Sequence, residues 1–160
     1  MIKNKKTFYI GLAITAVVIL IDQLSKIYML GLLKDVRNIN IWPFFDLTLV
    51  YNRGISFGML NGGGTVEIAI IALITSVIVI ALTNWLLKTG SLYKSTCIGL
   101  IIGGAIGNVI DRFTQPGVVD FLDFHMGKHH YPAFNVADSC ICVAVVLLLL
   151  ENILVKEIKK

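Results

Sequence analysis

Residues 118–138 read VVDFLDFHMGKHHYPAFNVAD, a polar and aromatic-rich passage between two strongly apolar segments. The passage carries three of the chain's ten acidic residues, Asp120, Asp123 and Asp138. Asp138 stands at the start of an apolar segment long enough to cross a bilayer, where a carboxylate is costly unless a partner stabilises it. If the chain doubles back between Asp120 and Asp138, two carboxylates meet near one membrane face. The passage therefore predicts a functional site that the rest of the chain holds in place.

The composition of the whole chain is that of an integral membrane protein. Hydrophobic residues make up 56% of the 160 residues and charged residues only 15%, whereas roughly 25% is usual for soluble chains. The formal net charge of +4 raises the question of nucleic acid. No basic run is interleaved with aromatic residues, however, as a nucleic-acid groove requires. We therefore expect a membrane protein that does not bind nucleic acid.

Neither the cysteines nor the histidines form a pattern typical of a metal site. The cysteines are Cys97, Cys140 and Cys142, and the histidines are His125, His129 and His130. The cysteines all lie in apolar segments without a CxxC pair, so we expect packing thiols and no disulfide framework. The histidine spacing differs from HExxH, and loop histidines of this kind are expected to be solvated or interfacial. The sequence predicts no metal and no cofactor.

Four apolar segments have the length of membrane spans, at about 8–33, 65–87, 96–113 and 136–155. Each is close to the ~20 residues that cross ~30 Å of hydrocarbon. The first follows a short basic head, which is also a feature of signal peptides, but no small-x-small cleavage site comes after it. We expect this span to be retained. The predicted fold class is an all-α membrane bundle of four transmembrane helices in one domain, 1–160.

Two longer segments join the spans at one side of the predicted bundle. Residues 34–64 are rich in turn formers around short alternating stretches such as FDLTLVY (45–51), which predicts a small β-cradle at the membrane surface. Its aromatic residues are typical of an interfacial belt, and they are Trp42, Phe44, Phe45 and Tyr51. Residues 114–135 are predicted to form an outward loop.

The basic residues are unevenly distributed between the two sides of the predicted bundle. Four spans place both termini and the 88–94 linker on one side. That side carries eight of the fourteen basic residues: Lys3, Lys5, Lys6, Lys88, Lys94, Lys156, Lys159 and Lys160. By the positive-inside rule this side is cytoplasmic. The segments 34–64 and 113–136, and with them the acidic pair, are therefore expected at the extracytoplasmic face.

Polar residues cluster at the outward ends of the first and third spans. Asp22 and Lys26 are four residues apart, so they share a helix face and can form an ion pair. The alternative gives Lys26 a second role toward a substrate carbonyl or a lipid headgroup. In the third span Asn108, Asp111 and Arg112 cluster, and we expect Arg112 to neutralise Asp111 as a structural clamp.

The two candidate acids each have a plain structural alternative. Asp138 can be a carboxylate that meets the free amides of a helix N-terminus, and Asp120 can be a solvated loop acid. Asn135 lies three residues before Asp138 and should share its helix face. The functional interpretation gains weight because all these polar groups are predicted at the same membrane face.

Glycines recur every fourth residue in the third span, at Gly99, Gly103 and Gly107. Small residues at this spacing allow another helix to approach closely. The pattern therefore predicts a helix-packing seam rather than a binding loop.

Other functions are compatible with the pattern of polar residues. Paired acids within a membrane also mark ion pathways, so a small proton- or ion-coupled transporter is the main alternative. The polar cluster can instead fix only the packing of a structural or assembly subunit. A serine–lysine dyad would need Ser25 or Ser56 beside a lysine. Ser25 adjoins Lys26, but neighbouring side chains on a helix point apart.

The polar motifs occur together in the order known from one family. They are DQLSK (22–26), YNRGISFG (51–58), GGAIGNVIDR (103–112), VVDF (118–121) and FNVAD (134–138). With these motifs the chain resembles the bacterial lipoprotein signal peptidases (signal peptidase II) over nearly its whole length. The resemblance implies a four-helix membrane bundle with a small outward β-cradle and a short extracytoplasmic helix over the active site.

The resemblance also implies an activity and its residues. The family consists of aspartic endopeptidases of the bacterial cytoplasmic membrane, which remove the signal peptide from diacylglyceryl-modified prolipoproteins just before the lipidated cysteine. Asp120 and Asp138 would be catalytic. The residues that would support the site or contact substrate are Asp22, Lys26, Asn52, Gly54, Asn108, Asp111, Arg112 and Asn135. The expected partners are prolipoproteins, membrane lipids and globomycin-type cyclic peptide inhibitors, and the expected state is a monomer.

Overall fold

The computed structural model describes residues 2–54 and 65–158, which form four long helices and a small antiparallel sheet. The helices are α1 (Lys5–Leu33), α2 (Thr65–Lys88), α3 (Leu92–Thr114) and α4 (Val136–Ile158). Each is long and apolar enough to cross a membrane. The predicted fold class, a four-helix membrane bundle with a small β-cradle, is confirmed. The short extracytoplasmic helix implied by the resemblance is not among the elements of these residues.

The β-cradle is a four-stranded antiparallel sheet in which the strands follow one another in chain order. The strands are β1 (Asn38–Trp42), β2 (Phe45–Asn52), β3 (Val118–Met126) and β4 (His129–His130). β1 and β2 form a hairpin, and β3 joins it from the distant end of α3, with Val50 of β2 opposite Asp120. The sheet therefore fixes the strand that carries Asp120 against β2.

The structure differs from the sequence analysis in the segment 114–135, which was predicted to be an outward loop. Nine of its residues form β3, and two more form β4. The strand lacks a clear alternation of apolar and polar residues because its first four residues, 118–121, are all buried. A strand that is covered on both faces loses the period of two by which a half-buried strand is recognised. The segment is thus half of the cradle.

The glycines of α3 allow α1 to pack closely against it, as the spacing predicted. A Cβ atom added at Gly99 would lie 2.5 Å from the carbonyl oxygen of Gly11, and one added at Gly107 would lie 2.5 Å from Asp22 Oδ2. On another face of α3, a Cβ atom at Gly104 would lie 2.6 Å from the carbonyl oxygen of Ala137 in α4. α3 is therefore the central helix, and α1, α2 and α4 all pack on it.

Two apolar clusters join the elements. Leu33 at the end of α1 packs with Val119 and Phe121 of β3, and all three side chains are at most 2% exposed. A second cluster joins Leu86 of α2 to Ile98 and Ile102 of α3. The first cluster anchors β3 on the helix ends, so the residues around it cannot shift without opening the core.

Candidate active site

Asp120 is the third residue of β3 and is buried. It is 1% exposed, and Asn135 Nδ2 donates a hydrogen bond to its Oδ1 at 2.8 Å. The alternative that Asp120 is a solvated loop acid is therefore wrong. Its neighbours Val119 and Phe121 belong to the anchored cluster, so the core sets the position of this carboxylate.

Asp138 lies in the first turn of α4. Its backbone N–H donates to Asn135 Oδ1 at 2.9 Å. The side chain of Asn135 therefore caps the helix, which was the structural alternative considered for Asp138. The Asp138 carboxylate instead accepts a hydrogen bond from Asn108 Nδ2 of α3 at 2.7 Å. Since the helix is capped by another residue, this carboxylate is available for chemistry.

Two asparagine side chains connect the two carboxylates. Asn135 Nδ2 lies 2.8 Å from Asp120 Oδ1 and 3.1 Å from Asn108 Oδ1. Asn108 in turn donates to Asp138. The path Asp120–Asn135–Asn108–Asp138 holds the acids of β3 and α4 in one site, as the doubling back of the chain predicted. Each amide is used as donor and acceptor, which fixes its orientation.

A buried ion-pair cluster lies directly behind this path. Lys26 Nζ is 2.8 Å from Asp22 Oδ2, 2.8 Å from Asp111 Oδ2 and 3.1 Å from Asn108 Oδ1. The predicted pair between Asp22 and Lys26 is present. Arg112, however, does not neutralise Asp111, because Lys26 reaches across from α1 to do so. The Lys26 side chain is 2% exposed, so a direct role toward a substrate or a headgroup is also wrong for this conformation.

The two acids of this cluster hold the backbone next to each candidate catalytic residue. Asp22 Oδ1 accepts the N–H of Ala137 at 3.0 Å, and Asp111 Oδ2 accepts the N–H of Val119 at 3.0 Å. Ala137 immediately precedes Asp138, and Val119 immediately precedes Asp120. One ammonium group therefore stabilises two carboxylates, and each carboxylate positions one member of the candidate pair.

Gln23 belongs to this cluster and was missed by the sequence analysis. Its Nε2 lies 3.0 Å from Asp111 Oδ1 and 3.2 Å from the carbonyl oxygen of Gly107. The available signal was its place inside the DQLSK motif beside Asp22. Neighbouring helical residues usually point apart, and only the close approach of α3 lets Gln23 reach the same acids.

Arg112 reaches from α3 to the end of β2. Its Nη1 donates to the carbonyl oxygen of Asn108 at 2.9 Å, and its Nη2 donates to that of Gly54 at 3.3 Å. Its buried Nε has no hydrogen-bond partner among residues 2–54 and 65–158. Asn52 Oδ1 accepts the N–H of Gly54 at 3.2 Å. The contacts thus join all ten site residues expected from the resemblance into one connected network.

A cavity of about 370 Å³ opens in front of this network. Asn52, Gly54, Asn108, Arg112 and Asp138 line its polar side. The segment 131–134, which leads from β4 into α4, also lines this cavity. Asp138 thus lines the cavity, and the Asn135 and Asn108 amides connect Asp120 to it.

The surroundings of Asp120 favour its protonated form. Burial, followed by the nearby charge of Asp138, raises the pKa of Asp120 to about 7. Hydrogen bonds from the side chains of Asn52 and Asn135, and the charge of Lys26, act in the opposite direction. A carboxyl group in this environment can hold a proton close to neutral pH and release it without a large free-energy change.

The histidines lie on the cradle, away from the two acids. His130 Nδ1 is 2.9 Å from Asp123 Oδ2, and His125 Nε2 is 3.3 Å from Asp46 Oδ1. The two rings stack with centroids 4.8 Å apart. The His125 side chain is only 11% exposed, so it pairs with the sheet rather than with solvent. Among the described residues, no group of three or more His, Cys, Asp or Glu side chains could hold a metal ion.

The serine–lysine alternative finds no support in α1. Ser25 Oγ donates to the backbone carbonyl of Asp22 at 2.7 Å, and Lys26 is engaged by two carboxylates on another face of the helix. A nucleophilic pair at this position is therefore wrong. Ser56 lies outside the described residues.

The comparisons with curated proteins agree on one family. The family model described as Signal peptidase (SPase) II matches residues 14–154. A lipoprotein signal peptidase from Burkholderia thailandensis is 47% identical over 146 residues, which cover 89% of this chain and 86% of the relative. A lipoprotein signal peptidase from Paraburkholderia phymatum is 45% identical over 145 residues, with the same two coverages.

Two solved structures share the fold. Each is described as a bacterial membrane enzyme structure obtained by the in meso method. The one at 2.3 Å resolution has a TM-score of 0.81 and 29% sequence identity, and the match covers 94% of this chain and 91% of that one. The one at 1.9 Å resolution has a TM-score of 0.74 and 30% identity, with coverages of 88% and 90%.

Proposed function

The chain belongs to the signal peptidase II family, whose members process lipoproteins, and from this premise we propose that it is an aspartic endopeptidase. It removes the signal peptide from prolipoproteins. Its substrates carry a diacylglyceryl group, and the cut falls just before the lipidated cysteine. Asp120 and Asp138 are the catalytic residues. The observation that carries this proposal is the path through Asn135 and Asn108, which holds the two carboxylates in one site.

The chemistry follows from two carboxyl groups that share one proton. Like charges at short range disfavour double ionisation, so one group stays protonated while the other is ionised. The ionised carboxylate takes a proton from water as the water oxygen attacks the scissile carbonyl carbon. The protonated group polarises the carbonyl oxygen. A proton then passes to the leaving amine as the C–N bond breaks, and the pair returns to its starting state.

The pKa of Asp120 and the position of Asp138 agree with this scheme. Burial and the nearby charge of Asp138 raise the pKa of Asp120 to about 7, so this carboxyl group is about half protonated at neutral pH. Asp138 lies at the cavity wall, where it can meet water and substrate. The assignment of the proton belongs to the pair rather than to one residue. No covalent intermediate and no metal is required.

The residues behind the pair are positioning residues. Asp22 and Asp111 hold the backbone that precedes Asp138 and Asp120. The charge of Lys26 offsets the free-energy cost of burying the Asp22 and Asp111 carboxylates. These hydrogen bonds fix the backbone beside both proposed catalytic acids to the core of the bundle. Arg112 lines the cavity and is placed to contact the peptide backbone of the substrate.

The cradle and the segment 121–134 would clasp the peptide in front of the acids. The segment 131–134 lines the same cavity as Asp138, and β3 pairs with β2 in the cradle. Globomycin-type cyclic peptides would inhibit by occupying this cavity. The lipid-facing sides of the helices would receive the diacylglyceryl chains. Substrate binding that is unaltered after deletion of residues 121–134 would contradict the clasp.

The protein is a multi-pass membrane protein, and its orientation follows from charge. The excess of lysines at the termini and in the 88–94 linker favours a cytoplasmic position for that side. Asp120 and Asp138 then lie near the extracytoplasmic face of the bacterial cytoplasmic membrane. The complete site within one chain supports a monomeric enzyme.

The test is cleavage of a diacylglyceryl-modified prolipoprotein by the purified protein and by the variants Asp120→Asn and Asp138→Asn. Each substitution removes an ionisable group with little change in volume, so both should reduce kcat by about a thousandfold or more. Asp35→Asn is the matched control, because Asp35 is an exposed acid at the same end of the bundle. A chelator should have no effect. Cleavage by both dyad variants at the wild-type rate would contradict the aspartic mechanism.

A further inference from the structure

The cavity in front of the catalytic pair continues along α3 between α2 and α4. A second cavity of about 320 Å³ shares Asn108, Arg112 and Ile141 with it. The rest of this second cavity is lined almost wholly by apolar side chains, including Ile74 and Ile78 of α2. α3 forms its floor, and α2 and α4 form its walls. The site therefore opens into an apolar groove that runs into the membrane-spanning part of the bundle.

A third cavity, of about 430 Å³, extends the groove to the other end of the bundle. It shares Ile101 of α3 with the second cavity. Its walls include Trp85 of α2 and Leu148 of α4, and its end is polar, with Lys94, Glu151 and Asn152. The three cavities thus follow one another along α3 from Asp138 to Glu151, and neighbouring cavities share lining residues; together we call them the α2–α4 groove.

The polar end of the groove can accept a cation. Glu151 Oε2 is 3.7 Å from Lys94 Nζ, and the two side chains are 28% and 39% exposed. This separation is long for an ion pair, so Lys94 leaves room on the carboxylate for a second positive group. Asn152 adds a neutral hydrogen-bonding side chain beside it. The apolar groove therefore ends in a partly exposed acidic group.

The length of the groove matches one class of peptide. Asp138 and Glu151 are thirteen residues apart on α4, which corresponds to ~20 Å along a helix. A signal peptide carries an apolar core of about 7–15 residues that follows a positively charged N-terminal segment. As a helix, such a core spans about 10–22 Å. A peptide cut beside Asp138 would then place its basic segment near Glu151.

We propose that the α2–α4 groove binds the signal peptide as a helix and that Glu151 recognises its basic N-terminal segment. This inference rests on the proposed function, because it needs a peptide whose cut site lies at the catalytic pair. The membrane end that carries Glu151 then contributes to substrate selection, although it lies a full membrane leaflet or more from the chemistry. Glu151 is thus a specificity residue, and Lys94 competes with the substrate for it.

The test compares two diacylglyceryl-modified prolipoproteins that differ only in the N-terminal segment of the signal peptide. One keeps its lysines, and the other has glutamine at each of those positions. Wild-type protein should cleave the basic substrate with a kcat/KM that is higher by about two- to fivefold, as expected for a partly exposed ion pair, with the effect in KM. Glu151→Gln should bring this ratio close to one, and Glu151→Asp should retain part of it. Lys94→Gln should keep or raise the ratio.

The outcomes separate this inference from the proposed function. If wild-type protein cleaves both substrates equally well, the peptidase stands and the groove does not read the basic segment. If Glu151→Gln keeps the wild-type ratio, or Lys94→Gln abolishes it, the assignment to Glu151 is overturned. If neither substrate is cleaved by wild-type protein, the proposed function itself fails. If a Glu151 variant does not fold, equal cleavage of the two substrates by wild-type protein still overturns the inference, and Lys94→Gln still tests the assignment to Glu151.

Discussion

At the scale of single residues, the titration of Asp120 links the structure to a pH profile. Burial and the charge of Asp138 raise its pKa to about 7, whereas hydrogen bonds from Asn52 and Asn135 oppose the rise. The group therefore keeps its proton below about pH 7 and loses it above. The proposed mechanism needs one protonated and one ionised carboxyl group, so the acid that is lost with rising pH is the one proposed to polarise the carbonyl.

We therefore expect kcat/KM to fall as the pH rises above about 7. In Asn52→Val the falling limb should move to higher pH, because the lost hydrogen bond stabilised the ionised form of Asp120. The measurement is kcat/KM for a lipidated prolipoprotein between pH 5 and 9. A profile that is flat from pH 6 to 9, or a limb that moves to lower pH in Asn52→Val, would contradict the assignment.

Lys26 shows how one buried charge can support a site that it does not enter. It is 2% exposed and compensates two buried carboxylates. We expect Lys26→Met to destabilise the fold by about 3–5 kcal/mol, because Asp22 and Asp111 are left as uncompensated buried charges. Thermal unfolding in detergent micelles measures this loss. Lys34→Met, at an exposed position just past α1, is the control. An equal loss of stability in the two variants would contradict the role given to Lys26.

At the scale of elements, the contact between α1 and α3 depends on the absence of side chains on α3. Gly107 faces Asp22, and an added Cβ atom would lie 2.5 Å from its Oδ2. Gly31 of α1 has nothing within 4 Å of the same added atom. The two glycines thus make a matched pair on membrane helices, one packed and one open.

Gly107→Ala should destabilise the protein by about 1–3 kcal/mol, because it forces α1 away and disturbs the carboxylate that holds Ala137. Gly31→Ala should be neutral or stabilising by up to about 1 kcal/mol, because alanine has the higher helix propensity. Unfolding temperature and peptidase activity should both fall in the first variant and not in the second. Similar behaviour of the two would show that this seam does not position the site.

β3 and β4 lie in a segment that was predicted to be a loop, and they show which elements could not be predicted from local sequence. In β3 the buried run 118–121 includes Asp120, so the residue that reads as polar is inside and no alternation remains. Short strands within 34–64 were predicted from the turn formers and the alternation, and β1 and β2 lie in that segment. β3 became recognisable only through pairing with β2, which lies far away in the sequence.

At the scale of the whole molecule, the orientation in the membrane is the next property to test. The lysine-rich side includes Lys88 at the end of α2, and the opposite side includes Asp35 after α1; both residues are exposed. In a background with alanine at all three native cysteines, a membrane-impermeant thiol reagent should label Asp35→Cys in cells whose outer membrane has been permeabilised. Lys88→Cys should be labelled only after the inner membrane is permeabilised. The reverse pattern would invert the topology.

The sequence by itself determined the membrane class, the four spans, the glycine seam and the identity of the polar motifs. Each of these depends on local composition or on spacing along one helix, and burial in lipid or against a neighbour enforces them. Only the tertiary structure decided which polar groups contact each other. Lys26, and not Arg112, pairs with Asp111. Asn135 bonds to both Asp120 and Asp138, and Asp22 accepts the N–H of Ala137, 115 positions away. Such contacts depend on how closely whole helices approach, because a shift of one or two ångströms exchanges one hydrogen-bond partner for another.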